Sequence, residues 1–96
     1  LNAMANQNSD RVLTYRGFLA RKAGDLKEAN AQYTAALAQN PGNLLARSYM
    51  GQGFAEAGDM IAAYGQLQEI RARGGAGTWA ETALLHAIQT GSGYSY

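Results

Sequence analysis

The sequence contains no cysteine, and this absence excludes several kinds of site at once. Without a thiol there can be no disulfide, no thiolate metal site and no cysteine nucleophile. The cellular compartment stays undecided, because a chain without cysteine is compatible with reducing and with oxidising surroundings. We therefore predict a soluble protein of the cytoplasm or, if a signal peptide was removed, of the periplasm.

Long apolar runs and an excess of one charge are also missing. Although 47% of the residues are hydrophobic, no stretch reaches the roughly 18 uninterrupted apolar residues of a membrane-spanning helix. Eight Lys and Arg against seven Asp and Glu leave a net charge of +1, too small to indicate a general affinity for nucleic acid or acidic lipid. We expect neither a membrane span nor a nucleic-acid partner.

Residues suited to catalysis are scarce. His86 is the only histidine, and no acidic pair at metal-ligand spacing accompanies it. No serine lies in a nucleophile-elbow context, and the glycine cluster at 74–77 lacks the Lys-Ser/Thr pair of a phosphate-binding loop. We predict no enzyme activity, no metal site and no cofactor.

What the sequence does contain is an internal repeat with a period of 34 residues. The tetrapeptide Ala-Gly-Asp-Leu at 23–26 returns as Ala-Gly-Asp-Met at 57–60, and the same offset relates Tyr15 to Tyr49. This period is typical of helix–turn–helix units that stack into a solenoid, where each unit buries its apolar face against its neighbours. The repeat therefore indicates a binding protein more than an enzyme.

Start and stop signals predict five helices. Ser9 or Asp10 begins a helix that ends near Ala23, and Asp25 begins a second that ends near residue 39, before Pro41. The other three cover about 44–57, 60–73 and 78–90. Residues 1–8 resemble a cloning scar or a disordered leader, and residues 91–96 a flexible tail.

With these helices in place, the chain resembles a tetratricopeptide repeat (TPR) protein. In the unit 10–43, the positions that the family fills with large, small and aromatic residues and a closing proline hold Leu13, Gly17, Ala29, Tyr33, Ala36 and Pro41. In the unit 44–77, the matching positions hold Arg47, Met50, Gly51, Phe54, Ala63, Leu67 and Ile70, with Gly75 in place of the proline.

The resemblance implies one domain over residues 9–90 with an all-α fold. It would be a right-handed α-solenoid of antiparallel helix hairpins, made of two TPR-like units and a C-terminal capping helix at 78–90. Gly17, Ala29, Gly51 and Ala63 would lie where two helices approach most closely, because a longer side chain there would force the helices apart.

The resemblance also implies where a partner binds. In TPR proteins the first helices of successive units line a concave groove. The candidate positions of this chain are Arg11, Thr14, Tyr15, Phe18, Arg21, Lys22, Leu45, Ser48, Tyr49, Gln52, Glu56, Trp79, Thr82, His86 and Gln89. Tyr, Trp and Arg are enriched at interface hot spots. We therefore expect non-catalytic binding of a protein or peptide through an aromatic and basic groove. The specificity of TPR proteins that clamp chaperone tails is not implied, because Tyr15 and Tyr49 replace their asparagines.

Two alternatives stay open at this point. Exposed ends of so short a solenoid could be covered in a homodimer, which would make the chain a structural self-association module. The cations Arg11, Arg16, Arg21 and Lys22 could instead bind nucleic acid, which the small net charge disfavours. Tyr15, Tyr49 and Trp79 are also compatible with ordinary packing between helices. The four cations are also compatible with a helix face exposed to solvent.

Overall fold

The computed structural model describes residues 9–91, which form five α-helices and no β-strand. The helices are α1 (Asp10–Lys22), α2 (Leu26–Gln39), α3 (Leu44–Glu56), α4 (Met60–Ala72) and α5 (Trp79–Thr90). The predicted all-α fold is confirmed, and each predicted helix boundary lies within about two residues of the observed one. The predicted leader, and the predicted tail beyond its first residue, lie outside the described residues.

The repeated Ala-Gly-Asp sequence forms the same turn twice. Gly24 and Gly58 have φ angles of 87° and 85°, in the left-handed region that glycine adopts without strain. The next residue caps the following helix: the side chain of Asp25 accepts a hydrogen bond from the Glu28 amide, and that of Asp59 from the Ala62 amide. The repeated tetrapeptide therefore encodes a helix end and a helix start.

The chain divides into two compact units, residues up to Ala46 and residues from Arg47 onward, with the boundary in the first turn of α3. In the first unit, α1 packs along α2. A Cβ atom at Gly17 would lie only 2.5 Å from Cε1 of the fully buried Tyr33. The missing side chain of Gly17 therefore makes room for the tyrosine ring.

Small residues dominate the core of the second unit. Ala55, Ala63 and Ala87, one each from α3, α4 and α5, form a buried cluster. A Cβ atom at Gly51 would lie 2.7 Å from both methyl carbons of Leu84 and 3.2 Å from Cβ of Gln66. These positions confirm that the small residues at 51 and 63 lie where helices approach closely, and Gly51 meets α5 as well as α4.

Gly51 and Gly65 form a matched pair for testing this packing. We expect Gly51→Ala to lower the free energy of unfolding by about 1–2 kcal/mol, because the overpacking cost exceeds the gain in helix propensity. At Gly65, in the middle of α4, a Cβ would have no atom within 4 Å. Gly65→Ala should therefore raise the free energy of unfolding by about 0.5–1 kcal/mol. Urea denaturation measures both, and shifts in the same direction would contradict the packing described for Gly51.

Candidate functional site

An open cleft of about 940 Å³ lies in the first unit, beside the residues that begin α1 and α3. It is lined from α1 and its cap, from the turn before α3, and from the first turn of α3 itself. These lining residues are Ser9, Asp10, Arg11, Val12, Thr14, Tyr15, Asn40, Asn43 and Leu45. Three of them, Arg11, Thr14 and Tyr15, are candidate site residues from the sequence, and Leu45 was expected beside them.

A hydrogen-bond network centred on Asn43 holds the polar part of the cleft together. The Asn43 amide nitrogen donates to Oδ2 of Asp10 at 2.8 Å and to the Thr14 hydroxyl at 3.0 Å. The Asn40 amide donates to the same Asp10 oxygen at 3.1 Å. Oδ1 of Asn43 accepts from the Ala46 main-chain amide at 3.0 Å, which caps the start of α3. One side chain therefore joins the first turns of α1 and α3.

The exposed edge of the cleft carries an aromatic ring, an aliphatic side chain and a cation. Tyr15 is 61% exposed and Leu45 is 42% exposed. Arg11 is also exposed, and no hydrogen bond or ion pair joins its guanidinium to another group in residues 9–91. Because Arg11 and Tyr15 are four positions apart on α1, they lie on the same face of the helix. This edge is open to a binding partner.

The remaining candidate residues of α1 form a separate cluster around Phe18. The Arg21 guanidinium lies 5.9 Å from the centroid of the Phe18 ring and the Lys22 ammonium 5.5 Å from it, both within the range of cation–π attraction. Lys22 is exposed, whereas Arg21 is buried. Arg21 was expected as an accessible groove cation, and the structure instead packs it against the chain.

Thr14 is a second predicted surface residue that the structure buries. Its hydroxyl donates to the main-chain oxygen of Asp10 at 2.7 Å and accepts from Asn43. The hydroxyl supports the first turn of α1, so a partner could reach only the residues around it.

In the second unit, the candidate residues include an aromatic pair, in which Tyr49 is half-buried and Trp79 exposed, and a buried polar pair. The rings of Tyr49 and Trp79 meet edge to face at 5.9 Å and 82°, and Trp79 stays 43% exposed. Ser48 and Gln52 are fully buried: the Gln52 amide donates to the Ser48 hydroxyl, which donates to the main-chain oxygen of Ala80. The expectation that Gln52 faces an open groove is therefore corrected, because its side chain helps to join α3 to α5.

His86, a further candidate, is half-buried on α5.

The start of α5 is held by Glu81, which accepts from the Gly77 amide at 2.9 Å and from Nε of Arg71 at 2.7 Å. The hydrogen bond from the Gly77 amide has the larger effect and the contact with Arg71 the smaller, and both lower the pKa of the Glu81 carboxyl below its ordinary value. Thr78 lies at the predicted cap position, but its hydroxyl donates back to the Gly75 oxygen instead of capping α5.

Arg47 occupies the position of the second repeat that corresponds to the buried Leu13 of the first. Its guanidinium donates to the Gln66 side chain at 3.0 Å and lies 4.0 Å from a Glu69 carboxylate oxygen. Burial, and then the nearby Arg73, lower the pKa of Arg47, while Glu69 raises it. The long aliphatic stem therefore substitutes for an apolar side chain while its charged end remains paired.

Sequence reasoning missed Asp10, Asn40 and Asn43 as cleft residues. Asn43 stands directly before α3, so its role as a helix cap could have been predicted from its type and place. Its bonds to Asp10 and Thr14 could not, because they join residues 33 and 29 positions apart.

No helix within residues 9–91 combines the length and the apolar character needed to cross a membrane. In the same residues, no three His, Asp or Glu side chains are grouped where they could hold a metal ion. Comparison with protein-family models, with curated proteins and with solved structures finds no match to this chain.

The Asn43 network can be tested by separating its two roles. Serine at position 43 keeps an oxygen that can cap α3, but its hydroxyl is shorter than the asparagine amide and has one hydrogen, so it cannot replace both donations to Asp10 and Thr14. Alanine loses both roles. We expect Asn43→Ser to lower the free energy of unfolding by about 1–2 kcal/mol, and Asn43→Ala by about 1 kcal/mol more. Urea denaturation provides the measurement. A serine variant as stable as the unchanged chain would show that the donations to Asp10 and Thr14 contribute nothing.

Proposed function

We propose that the chain is a non-catalytic, TPR-like module that binds a protein through a peptide segment. In this proposal residues 10–43 and 44–77 are the two repeat units and α5 is the capping helix of a right-handed α-solenoid. The repeated Gly-Asp turns and the packing of Gly17 against Tyr33 support this assignment. Both are features of the repeated positions themselves.

The observation that carries the binding proposal is the exposed edge of the cleft in the first unit. Tyr15 and Leu45 present apolar surface to solvent, and Arg11 presents a charge that no group of residues 9–91 neutralises. An aromatic ring and a guanidinium next to a concave surface match the composition of binding hot spots. In the second unit, the exposed ring of Trp79 against Tyr49 is an aromatic anchor of the same kind.

We propose binding without catalysis because the two aliphatic hydroxyls of the cleft are occupied by structural bonds. The Ser9 hydroxyl accepts from the Val12 amide at the start of α1, and the Thr14 hydroxyl is bonded to Asp10 and Asn43. Neither is placed beside a base that could activate it as a nucleophile.

Self-association is a second candidate function, and an exposed face of α4 favours it. Ile61 is 89% exposed and Tyr64, one turn further on, is 49% exposed. At the equivalent positions of the first unit the chain has Lys27 and Asn30, so the repeat does not require apolar residues there. Gly65 on the same face has no neighbour within 4 Å of a Cβ, which leaves room for the backbone of another helix.

Charge adds little to pairing through this face. Asp59, the cap of α4, is acidic, whereas Arg71 and Arg73 at the other end of the helix are already paired with Glu81 and Glu69. Pairing of two copies would therefore depend on the apolar contacts of Ile61 and Tyr64. One helix face buries well under the ~800 Å² per partner of a standard interface, so we expect a weak dimer.

For the binding function, we expect selection from a random peptide display library against the complete chain to enrich peptides that bind at the cleft. Tyr15→Ala should weaken the binding of enriched peptides about ten-fold or more, because truncating an aromatic anchor removes most of its contact area. Tyr64→Ala is the matched control, since Tyr64 is similarly exposed on a different helix.

Two results would count against the binding function. One is a library that yields no enriched peptide. The other is a set of enriched peptides that Tyr64→Ala weakens as much as Tyr15→Ala does.

For self-association, we expect the average mass in sedimentation equilibrium to rise with protein concentration. Ile61→Lys, which introduces the residue found at the equivalent position of the first unit, should keep the chain monomeric because a buried, unpaired charge opposes pairing. Leu19→Lys is the control, as Leu19 is an exposed apolar residue of α1. A monomeric mass at every concentration for the unchanged chain would refute this candidate.

A further inference from the structure

The cleft of the first unit combines an apolar side with a single exposed cation. Val12, Tyr15 and Leu45 supply apolar surface, and a volume of about 940 Å³ is ample for one large side chain of a ligand. Arg11 stands at the edge of the same cleft. These features indicate which chemical groups a ligand of the cleft would carry, which the proposed binding function leaves unspecified.

The lining of the cleft carries one negative and one positive charge, and the positive one is available to a ligand. Asp10 is the one acidic residue of the lining, and its Oδ2 already accepts hydrogen bonds from Asn40 and Asn43, which are neutral and do not cancel its charge. Arg11 is the one basic residue of the lining, and no hydrogen bond or ion pair engages its guanidinium in residues 9–91. The positive end of α1 also lies here, because Ser9, its cap, lines the cleft.

The spacing of Arg11 and Tyr15 fixes the spacing of the ligand groups. Four positions along an α-helix correspond to about 6 Å. In an extended peptide, side chains two residues apart point to the same side and are separated by about 6.6 Å. One residue beside Tyr15 and a second beside Arg11 would therefore be separated by a single residue.

We propose that this cleft binds an extended peptide in which an apolar residue and an acidic residue are separated by one residue. The apolar side chain packs among Val12, Tyr15 and Leu45, and the carboxylate pairs with Arg11. This inference rests on the proposed peptide-binding function and specifies the ligand of the same surface.

The test uses short synthetic peptides on a Gly-Ser background, titrated into the isotopically labelled complete chain and followed by amide chemical shifts. One pair of peptides carries Phe-Ser-Glu or Phe-Ser-Lys, a second pair carries the reversed orders, and a further peptide carries Ser-Ser-Glu. We expect one of the two Phe and Glu peptides to bind about five-fold more tightly than its lysine counterpart, with shifts at the cleft residues. The Ser-Ser-Glu peptide should bind more weakly still.

Charge reversal at the cleft edge provides the decisive comparison. Arg11→Glu should invert the preference, so that the Phe and Lys peptide binds more tightly than the Phe and Glu peptide. Lys27→Glu makes the same change of charge at an exposed position of α2 and should leave the preference unchanged. Arg11→Gln, with no new charge, should reduce the preference toward equality and guards against a misfolded Arg11→Glu variant.

The outcomes separate this inference from the function on which it rests. Equal binding of the glutamate and lysine peptides, or a preference that persists in Arg11→Glu and Arg11→Gln, overturns the assignment of an acidic ligand. That assignment also fails if library selection yields peptides sensitive to Tyr15→Ala that lack an acidic residue at this spacing, and the binding function then stands. If the synthetic peptides do not bind and the library yields no enriched peptide, the proposed binding function itself is contradicted.

Discussion

The cleft of the first unit depends on the hydrogen bonds of one amide side chain, that of Asn43. Its nitrogen joins Asp10 and Thr14 of α1, and its oxygen caps α3. The bonds bring the first turns of two helices together and leave the cleft beside them. They also hold the Asp10 carboxylate toward Asn40 and Asn43, while the Arg11 guanidinium at the edge has no hydrogen-bond or ion-pair partner in residues 9–91. Arg11 is therefore the charged group of the cleft that is available to a ligand.

Absent side chains have an equally direct effect on packing. Gly17 admits the ring of Tyr33 and Gly51 admits the methyl groups of Leu84, each at a distance where a Cβ would collide. Gly65 is also a glycine within a helix, but a Cβ at this position would have no atom within 4 Å. Because glycine lowers helix stability in every one of these positions, the first two are compensated by packing within the chain. Gly65 has no such compensation inside the described residues, and it lies on the face of α4 that we propose for a second copy.

The elements of the fold could be predicted from sequence because their signals are local. Ser9, Asp25 and Asp59 each cap the helix that follows them, and Gly24 and Gly58 end the helix before. The accessibility of the site residues could not be predicted in the same way. The resemblance to TPR proteins implied that Thr14, Arg21 and Gln52 face a groove, but whether a helix face is covered depends on distant residues, and the structure buries all three. The Asn43 network escaped prediction for the same reason, since its partners are about thirty positions away.

The few contacts that the cleft offers limit its affinity for a peptide, and self-association would bear on this limit. One apolar side chain and one ion pair at a solvent-exposed edge provide only modest binding energy, because an exposed ion pair contributes about 0.2–1 kcal/mol. A second copy of the chain, joined through Ile61 and Tyr64 on α4, would present a second cleft to the same partner. Two weak contacts on one partner bind with an avidity that can exceed either affinity by about 10²–10⁴ when geometry allows both. Self-association through α4 would therefore strengthen the binding of a partner that carries two such segments, whereas a single peptide segment would bind one cleft with unchanged affinity.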